Sequence, residues 1–211
     1  MAEIVSFGVS RPARRTEQVV PEESIEQPGE NWLAAAQQGN EAAFARLYHD
    51  TQPRLLRYAA GLVGREAEEV TAEAWLQIAR DLRGFSGDLD AFRGWACRIV
   101  RNRAFDALRA QARRPVALTD LADLLDRPDR HDTATQACDR IDTAAAIALI
   151  ATLPRDQAEA VLLRAVVGLD AATAGSVLGK RAGAVRVAAH RGLKTLARSL
   201  AAPDQGTSTD A

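Results

Sequence analysis

Apolar residues recur every three or four positions through most of this chain, and this spacing restricts the fold to packed helices. Between residues 65 and 82, Val70, Ala74, Ile78 and Leu82 form one i, i+4 row. Alanine, leucine and arginine dominate the composition while β-branched residues are sparse, so local propensity also favours helices. We therefore expect an all-α protein.

Breaks in this pattern predict two small helical domains. A chain of 211 residues holds one mid-sized domain or two small ones. Helical patterns fill residues 31–114 and 141–200, and the aspartate-rich residues 115–140 between them predict an acidic linker. Residues 1–30 and 201–211 have little to bury, so we predict two disordered tails.

Several classes of protein are disfavoured. Cys97 and Cys138 show neither zinc-site spacing nor a disulfide framework. His49, His131 and His190 lie on separate segments without paired ligand spacing, and no phosphate loop or nucleophile motif occurs. We expect no metal, no cofactor and no enzymatic activity. Without a signal peptide or an apolar run of membrane-spanning length, we expect a cytoplasmic protein with no membrane insertion.

The segment FRGWACRIVRNRAFDALRAQARRP, residues 92–115, carries seven arginines and one acid although the chain's net charge is -1. A helical wheel places Phe92, Trp95 and Ile99 on a core face. A second face forms the arginine stripe, which comprises Arg98, Arg101, Asn102, Arg109, Arg113 and Arg114. Such a stripe either follows a phosphate backbone or is a solvated face whose arginines pair with acids.

Two residues of this helix fall outside the simple division of faces. Arg103 lies inside the apolar sector and must either extend to solvent or have a function. Phe105 lies within the arginine stripe. It either stacks on a base or packs with Leu108 against a second helix.

The segment LDAATAGSVLGKRAGAVRVAAHRGLKTLA has the layout of a helix-turn-helix, with Gly179 in the turn. Six lysines or arginines and no acid lie between Ala171 and Leu200. Two basic helical surfaces in a nearly neutral chain favour nucleic-acid binding, although helical hairpins with glycine turns are also common in bundles. The predicted core side of the second helix comprises Val185, Ala189, Gly192, Leu193, Leu196 and Leu200.

The order of these pieces resembles a bacterial group IV, or extracytoplasmic-function (ECF), RNA polymerase sigma factor of the sigma-70 superfamily. The resemblance rests on FARLYHDTQPRLLRYAAGLVG, EAEEVTAEAWLQIARDLRGF, the arginine-rich segment, and LPRDQAEAVLLRAVVGLDAATAGSVLGKRAGAVRVAAHRGLKTL. It implies that residues 31–114 are sigma region 2 and residues 141–200 are region 4. It also implies binding to core RNA polymerase, promoter recognition, promoter melting and transcription initiation.

The resemblance implies three contact sets. Contacts to the polymerase β′ clamp helices fall on Leu55, Arg57, Tyr58, Glu69, Val70, Glu73 and Trp75, some of which must instead build the internal core. The residues implied to contact minus-ten DNA are Phe85, Asp88, Arg98, Arg101, Asn102, Arg109, Arg113 and Arg114. Those implied to contact minus-thirty-five DNA are Lys180, Arg181, Arg186, His190, Arg191 and Lys194. His190 is either such a contact or a surface or packing histidine.

Departures from the family pattern affect specificity more than architecture. The first helix of the helix-turn-helix has TAG where the family usually has an acid followed by Ile and Ala. Ala184, Val187 and Ala188 replace residues that are often polar, which leaves fewer donors for base edges. Ala72 replaces a common glutamine.

Partners implied by the resemblance are core polymerase, through its β′ clamp helices and β flap, promoter DNA and an anti-sigma factor. We hypothesise that the free protein holds its two domains together or hides them against an anti-sigma factor. The alternatives are a stand-alone helix-turn-helix regulator, a metal-dependent hydrolase and a scaffold that binds acidic proteins.

Overall fold

A computed structural model describes residues 30–113 and 134–201 of the protein, with side chains for 32–113 and 143–201. The predicted tails fall almost wholly outside these residues. Most of the predicted linker and Arg114 of the arginine stripe lie outside them as well. We call residues 30–113 the N-terminal unit and residues 134–201 the C-terminal unit.

Both units are helical, and the described residues contain no strand, which confirms the all-α prediction. The N-terminal unit contains α1 Glu30–Gln37, α2 Glu41–Val63, α3 Ala67–Asp81 and α4 Leu89–Arg113, with 3-10 turns at Gly64–Glu66 and Leu82–Gly84. The C-terminal unit contains α5 Ala134–Ala151, α6 Arg155–Val161 continuing as a π-helical turn Leu162–Val166, α7 Ala171–Leu178 and α8 Ala182–Ala201. Helix α5 begins before residue 141, the predicted start of this unit.

Side-chain caps set several helix boundaries. Asn40, Asp88 and Asp170 each accept a hydrogen bond from a backbone N–H in the first turn of α2, α4 and α7, at 2.9, 2.7 and 2.6 Å. The backbone hydrogen bond from Thr173 lowers the pKa of Asp170. Gly179 ends α7 in the left-handed conformation, with φ of 65°, so the turn before α8 suits glycine.

Helix α2 continues through Pro53, although proline removes one helical hydrogen bond. Pro53 and His49, whose carbonyl loses that bond, are both exposed. Water can satisfy the freed carbonyl on this face, which reduces the cost of keeping the helix continuous.

The core of the N-terminal unit lies between α2, α3 and α4. Its fully buried large side chains include Tyr58, Phe92, Leu47, Leu55 and Ile78. The buried set therefore includes four of the seven residues assigned to the polymerase-binding zone, namely Leu55, Tyr58, Val70 and Trp75. These four assignments are corrected here, because side chains packed inside the unit are not available to a partner on its surface.

Buried side chains of the C-terminal unit lie mainly where α6 packs on α8, and they join those of the N-terminal unit in one continuous hydrophobic core. Helix α8 buries Val185, Ala189 and Leu196 along with Gly192. Leu193 and Leu200, which were expected on this core side, are 49% and 75% exposed. The prediction was wrong for these two because α8 buries only a narrow stripe of residues.

Two leucines, one buried and one exposed, test whether Leu55 belongs to the core. We predict that Leu55→Ala lowers the free energy of unfolding by about 2–5 kcal/mol, because it removes buried contacts and leaves a cavity. Leu76→Ala, at a leucine that is 67% exposed, should change it by less than about 0.5 kcal/mol. Urea unfolding followed by circular dichroism measures both. Similar values for the two variants would contradict the burial assigned to Leu55.

Candidate nucleic-acid interface

The outward face of α8 is a cationic surface. Arg186, His190, Arg191 and Lys194 are exposed on the side of the helix away from its buried row, and Arg181 is exposed at the preceding turn. The face contains no acidic residue, since α8 itself has none. All the predicted minus-thirty-five residues that α8 carries therefore lie on an accessible surface.

Lys180 differs from its neighbours because it has an ionic partner. Its Nζ lies 2.6 Å from a carboxylate oxygen of Asp156, at the start of α6. This hydrogen bond lowers the pKa of Asp156. Lys180 thus links the turn of the helix-turn-helix to α6 in addition to lying beside the cationic surface.

The arginine stripe of α4 is divided between solvent and the C-terminal unit. Asn102, Arg109 and Arg113 are exposed, and Arg109 pairs with Asp106 one turn away at 2.8 Å. Arg98 and Arg101 instead reach across to the C-terminal unit. Members of the stripe therefore meet acids, protein backbone and solvent, and its binding to a phosphate backbone stays a prediction.

The central contact between the units is an ion pair at a buried carboxylate. Arg101 Nε donates to Glu159 Oε2 at 2.6 Å, and Arg155 Nε donates to Glu159 Oε1 at 3.0 Å. The Glu159 side chain is only 3% exposed. Two guanidinium groups, one from each unit, therefore compensate the desolvated carboxylate.

Phe105 completes this cluster. Its ring centroid lies 4.5 Å from the Arg101 guanidinium carbon and 3.9 Å from that of Arg155, which are cation–π distances. Phe105 and Leu108 also line one groove with residues of the C-terminal unit. In this arrangement the ring contacts the other unit and is not free to stack on a base.

Three further contacts fix how the units meet. Arg98 Nη2 donates to the backbone oxygen and the hydroxyl of Ser176, each at 2.8 Å. Arg54 Nη1 donates to the Val167 carbonyl at 2.9 Å. Gly94 of α4 packs directly against Thr173 of α7, where an added Cβ would overlap the threonine methyl.

The glycines of this contact were missed by sequence reasoning. Gly61 also permits close packing, because a Cβ there would lie 2.5 Å from Leu162 Cδ1. Both glycines lie inside helices, where glycine is unfavourable relative to alanine. That cost was the available signal that another part of the chain approaches closely at these positions.

The predicted minus-ten loop is packed on α4. The Phe85 ring lies 5.1 Å from Trp95 and 5.8 Å from Phe92 between centroids. The Gln37 side chain donates to the Phe85 carbonyl at 2.7 Å. Asp88 caps α4, so this loop is positioned by aromatic and capping contacts next to the arginine stripe.

An acidic face of α3 lies beside α4, where Glu69 and Glu73 line one groove with Arg103 and Asp106. Glu69 and Glu73 are exposed there, and Leu76 extends the face by one turn. Arg57, on α2, is also exposed. Arg103 donates to the Gln77 side chain at 2.9 Å, so this arginine joins α4 to α3 instead of lying unpaired in the apolar sector.

Within the described parts of both units, no group of three or more His, Cys, Asp or Glu side chains is placed to hold a metal ion. Across the same residues, no helix has the length and apolarity needed to span a membrane.

Comparison with known families defines the class of the protein. The Sigma-70 region 2 family matches residues 47–114, which is most of the N-terminal unit. The Sigma-70 region 4 family matches residues 143–196 in the C-terminal unit. The chain thus combines two domains of sigma-70 transcription initiation factors.

Two curated relatives define the family more closely. The chain is 31% identical over 175 residues to the ECF RNA polymerase sigma factor ShbA of Streptomyces griseus, covering 79% of this chain and 91% of ShbA. It is 29% identical over 167 residues to the ECF sigma factor BldN of Streptomyces coelicolor, covering 78% of this chain but 63% of BldN. The chain belongs to the ECF RNA polymerase sigma factors, which confirms the resemblance inferred from the sequence.

Solved structures share the fold. CnrH, solved in complex with the cytosolic domain of CnrY, matches with a TM-score of 0.58 and 22% identity, covering 83% of this chain and 98% of CnrH. The sigma factor RpoE of Bartonella quintana, crystallised with the anti-sigma factor NepR, matches with a TM-score of 0.56 and 18% identity, covering 76% of this chain and 98% of RpoE.

Adding one methyl group tests the contact between the units. We predict that Gly94→Ala increases the radius of gyration measured by small-angle X-ray scattering, because the new Cβ overlaps the Thr173 methyl. Gly84→Ala is the matched control, since a Cβ there meets nothing within 4 Å. Equal radii for Gly94→Ala and the unmodified protein would contradict this packing.

Proposed function

We propose that this sigma factor binds core RNA polymerase with its N-terminal unit and grips two promoter elements, duplex DNA with α8 and melted DNA with α4. The observation that carries this proposal is the exposed cationic face of α8, the second helix of the helix-turn-helix. A helix of this kind enters the major groove, while lysine and arginine contacts to phosphates supply affinity that falls steeply with salt.

At the minus-thirty-five element, we assign the major-groove contacts to the face that contains Arg186, His190, Arg191 and Lys194. Arg181 and Lys180 at the turn contact phosphates. Val187 is half exposed on the same face. Its side chain supplies no hydrogen bond, so it contributes apolar contact of the kind that thymine methyl groups accept.

At the minus-ten element, the exposed Asn102, Arg109 and Arg113 hold the separated strand, and Arg98 and Arg101 join them once they leave the C-terminal unit. Phe85 and Asp88 lie at the start of the same surface. A cationic groove beside aromatic side chains suits unstacked bases. Unstacking a base costs a few kcal/mol, which such contacts offset.

For core polymerase, we assign Arg57, Glu69 and Glu73 to the contact with the β′ clamp helices. Leu76 adds an exposed apolar side chain to that surface. The C-terminal unit is assigned to the β flap. The proposed role is binding and positioning, with no catalytic step by this chain.

An anti-sigma factor is a proposed partner as well. The Bartonella RpoE was crystallised with the anti-sigma factor NepR, and CnrH was solved in complex with the cytosolic domain of CnrY. In this chain the groove lined by Phe105, Leu108 and Leu153 lies between the two units, where a partner would contact both.

Run-off transcription separates this function from its rivals. We expect purified core polymerase to initiate from specific fragments of a genomic library when this protein is added, and not without it. A stand-alone regulator would instead bind duplex DNA specifically without polymerase. Failure of core polymerase to initiate transcription when the protein is added would overturn the proposal.

Charge removal on α8 tests the duplex contact. We predict that Arg186→Ala with Lys194→Ala weakens holoenzyme binding to a promoter recovered in that assay. The slope of log affinity against log salt should fall in magnitude by about 2, because two cations that displace counterions from the DNA are lost. Arg80→Ala, at an exposed arginine of α3, should leave the slope unchanged. Unaltered affinity and slope in the double variant would refute the assignment.

Two exposed residues of the arginine stripe that do not hold the units together test its proposed role in strand separation. We predict that Asn102→Ala with Arg109→Ala lowers permanganate reactivity of minus-ten thymines while binding of core polymerase is retained. These two residues are chosen because Arg98 and Arg101 also hold the two units together. Full reactivity in the variant would exclude a role for this surface in strand separation.

A further inference from the structure

The cationic face of α8 has an apolar side chain at its centre. At 100° per residue, Val187 lies on the side of the helix opposite the buried row. Its side chain is 49% exposed, and Arg186, His190 and Arg191 are exposed around it. Water solvates an exposed apolar group poorly. The middle of this face therefore favours a partner that covers Val187 with an apolar group of its own.

Small residues form the first turn of α8. The helix begins with Ala182, Gly183 and Ala184, so no long side chain extends from this turn. A Cβ added at Gly183 would meet nothing within 4 Å, so packing inside the protein does not require a glycine there. The N-terminal residues of a recognition helix are those that reach base edges. The start of α8 can therefore approach the bases closely, and Val187 lies in the second turn.

The functional groups on α8 restrict which bases it can select. The helix contains no Asp, Glu, Asn or Gln. These side chains are the usual partners of the amino groups of cytosine and adenine in the major groove. Arginine and lysine pair with the O6 and N7 acceptors of guanine, while apolar side chains contact the methyl group of thymine. The face thus has the chemistry to select guanine and thymine.

The remaining polar side chains of α8 were considered as acceptors for base amino groups. Thr195 and Ser199 lie near the C-terminal end of α8, and each donates its hydroxyl to a backbone carbonyl one turn earlier, at 3.1 and 3.2 Å. His190 lies closer to the start of the helix, and a neutral imidazole has one acceptor nitrogen. Any contact from this face to a base amino group is therefore assigned to His190 and can be tested there.

We propose that α8 reads the minus-thirty-five duplex through guanine acceptors and a thymine methyl group, with Val187 as the residue that selects thymine at one base step. This inference rests on the proposed function and adds to it the class of DNA sequence that α8 selects. Arginine and lysine contacts to phosphates supply affinity for any duplex. Val187 discriminates between sequences, because thymine is the base that carries a methyl group in the major groove.

Replacing thymine by uracil removes this methyl group and keeps the base pair. Holoenzyme would be assembled from core polymerase and this protein, and a promoter recovered by run-off transcription would be labelled with fluorescein. Each thymine of the minus-thirty-five element is replaced in turn by deoxyuridine, on either strand, and affinity is measured at one fixed salt concentration. We expect one replacement to weaken binding about fourfold, the effect of losing one buried methyl group.

Val187→Ala identifies the residue that contacts the methyl group. At the sensitive base step, this variant should bind the thymine and uracil duplexes equally well, because the apolar partner is gone. Leu193→Ala is the matched control, since Leu193 is also 49% exposed on α8 but lies about 120° around the helix from Val187. It should keep the preference for thymine. Absence of any sensitive thymine, or a preference that persists in Val187→Ala, would overturn the inference.

A second substitution tests whether α8 contacts adenine. Replacing each adenine of the element by purine deletes its N6 amino group. We expect no loss of affinity that depends on His190, so the holoenzyme and its His190→Ala variant should respond alike. A loss at an adenine that disappears in His190→Ala would show that His190 reads the amino group, which contradicts the restriction to guanine and thymine.

The inference and the proposed function fail differently. Absence of transcripts with core polymerase would overturn the proposed function and this inference with it. Transcription from the promoter together with full affinity for every uracil-substituted duplex would overturn the inference alone.

Discussion

The desolvated carboxylate of Glu159 is the interaction on which the arrangement of the two units depends. A buried carboxylate must be matched by positive charge, and here the match comes from Arg155 in its own helix and Arg101 in the other unit. Phe105 lies against both guanidinium groups and shields them further. The ion pair thus ties the position of one unit to that of the other.

Helix α4 explains why such a coupling is possible. One face of the helix supplies Phe92 and Val100 to the core of its own unit. Another face carries the arginines and also Gly94, which lets α7 approach closely. A single helix therefore builds a core, contacts the second unit and presents cations to solvent.

The distribution of charge follows from this division of tasks. Among the described residues, glutamates are most frequent on α3 and the turn before it, while α8 and α4 carry many of the cations. This distribution agrees with the proposed binding of polymerase and promoter DNA to different surfaces. In the described arrangement the cationic face of α8 is exposed, while Arg98 and Arg101 of α4 contact the C-terminal unit.

The sequence by itself determined the helical class, the exposed cationic face of α8 and the family, because helical periodicity, caps and charge are local properties of neighbouring residues. It did not determine that Leu55, Tyr58 and Val70 are core residues and not surface contacts, since an amphipathic pattern does not say which partner covers it. Only the tertiary structure decided that Arg101 meets Glu159. That pairing joins residues 58 positions apart across two units, and it depends on how packed helices approach in space.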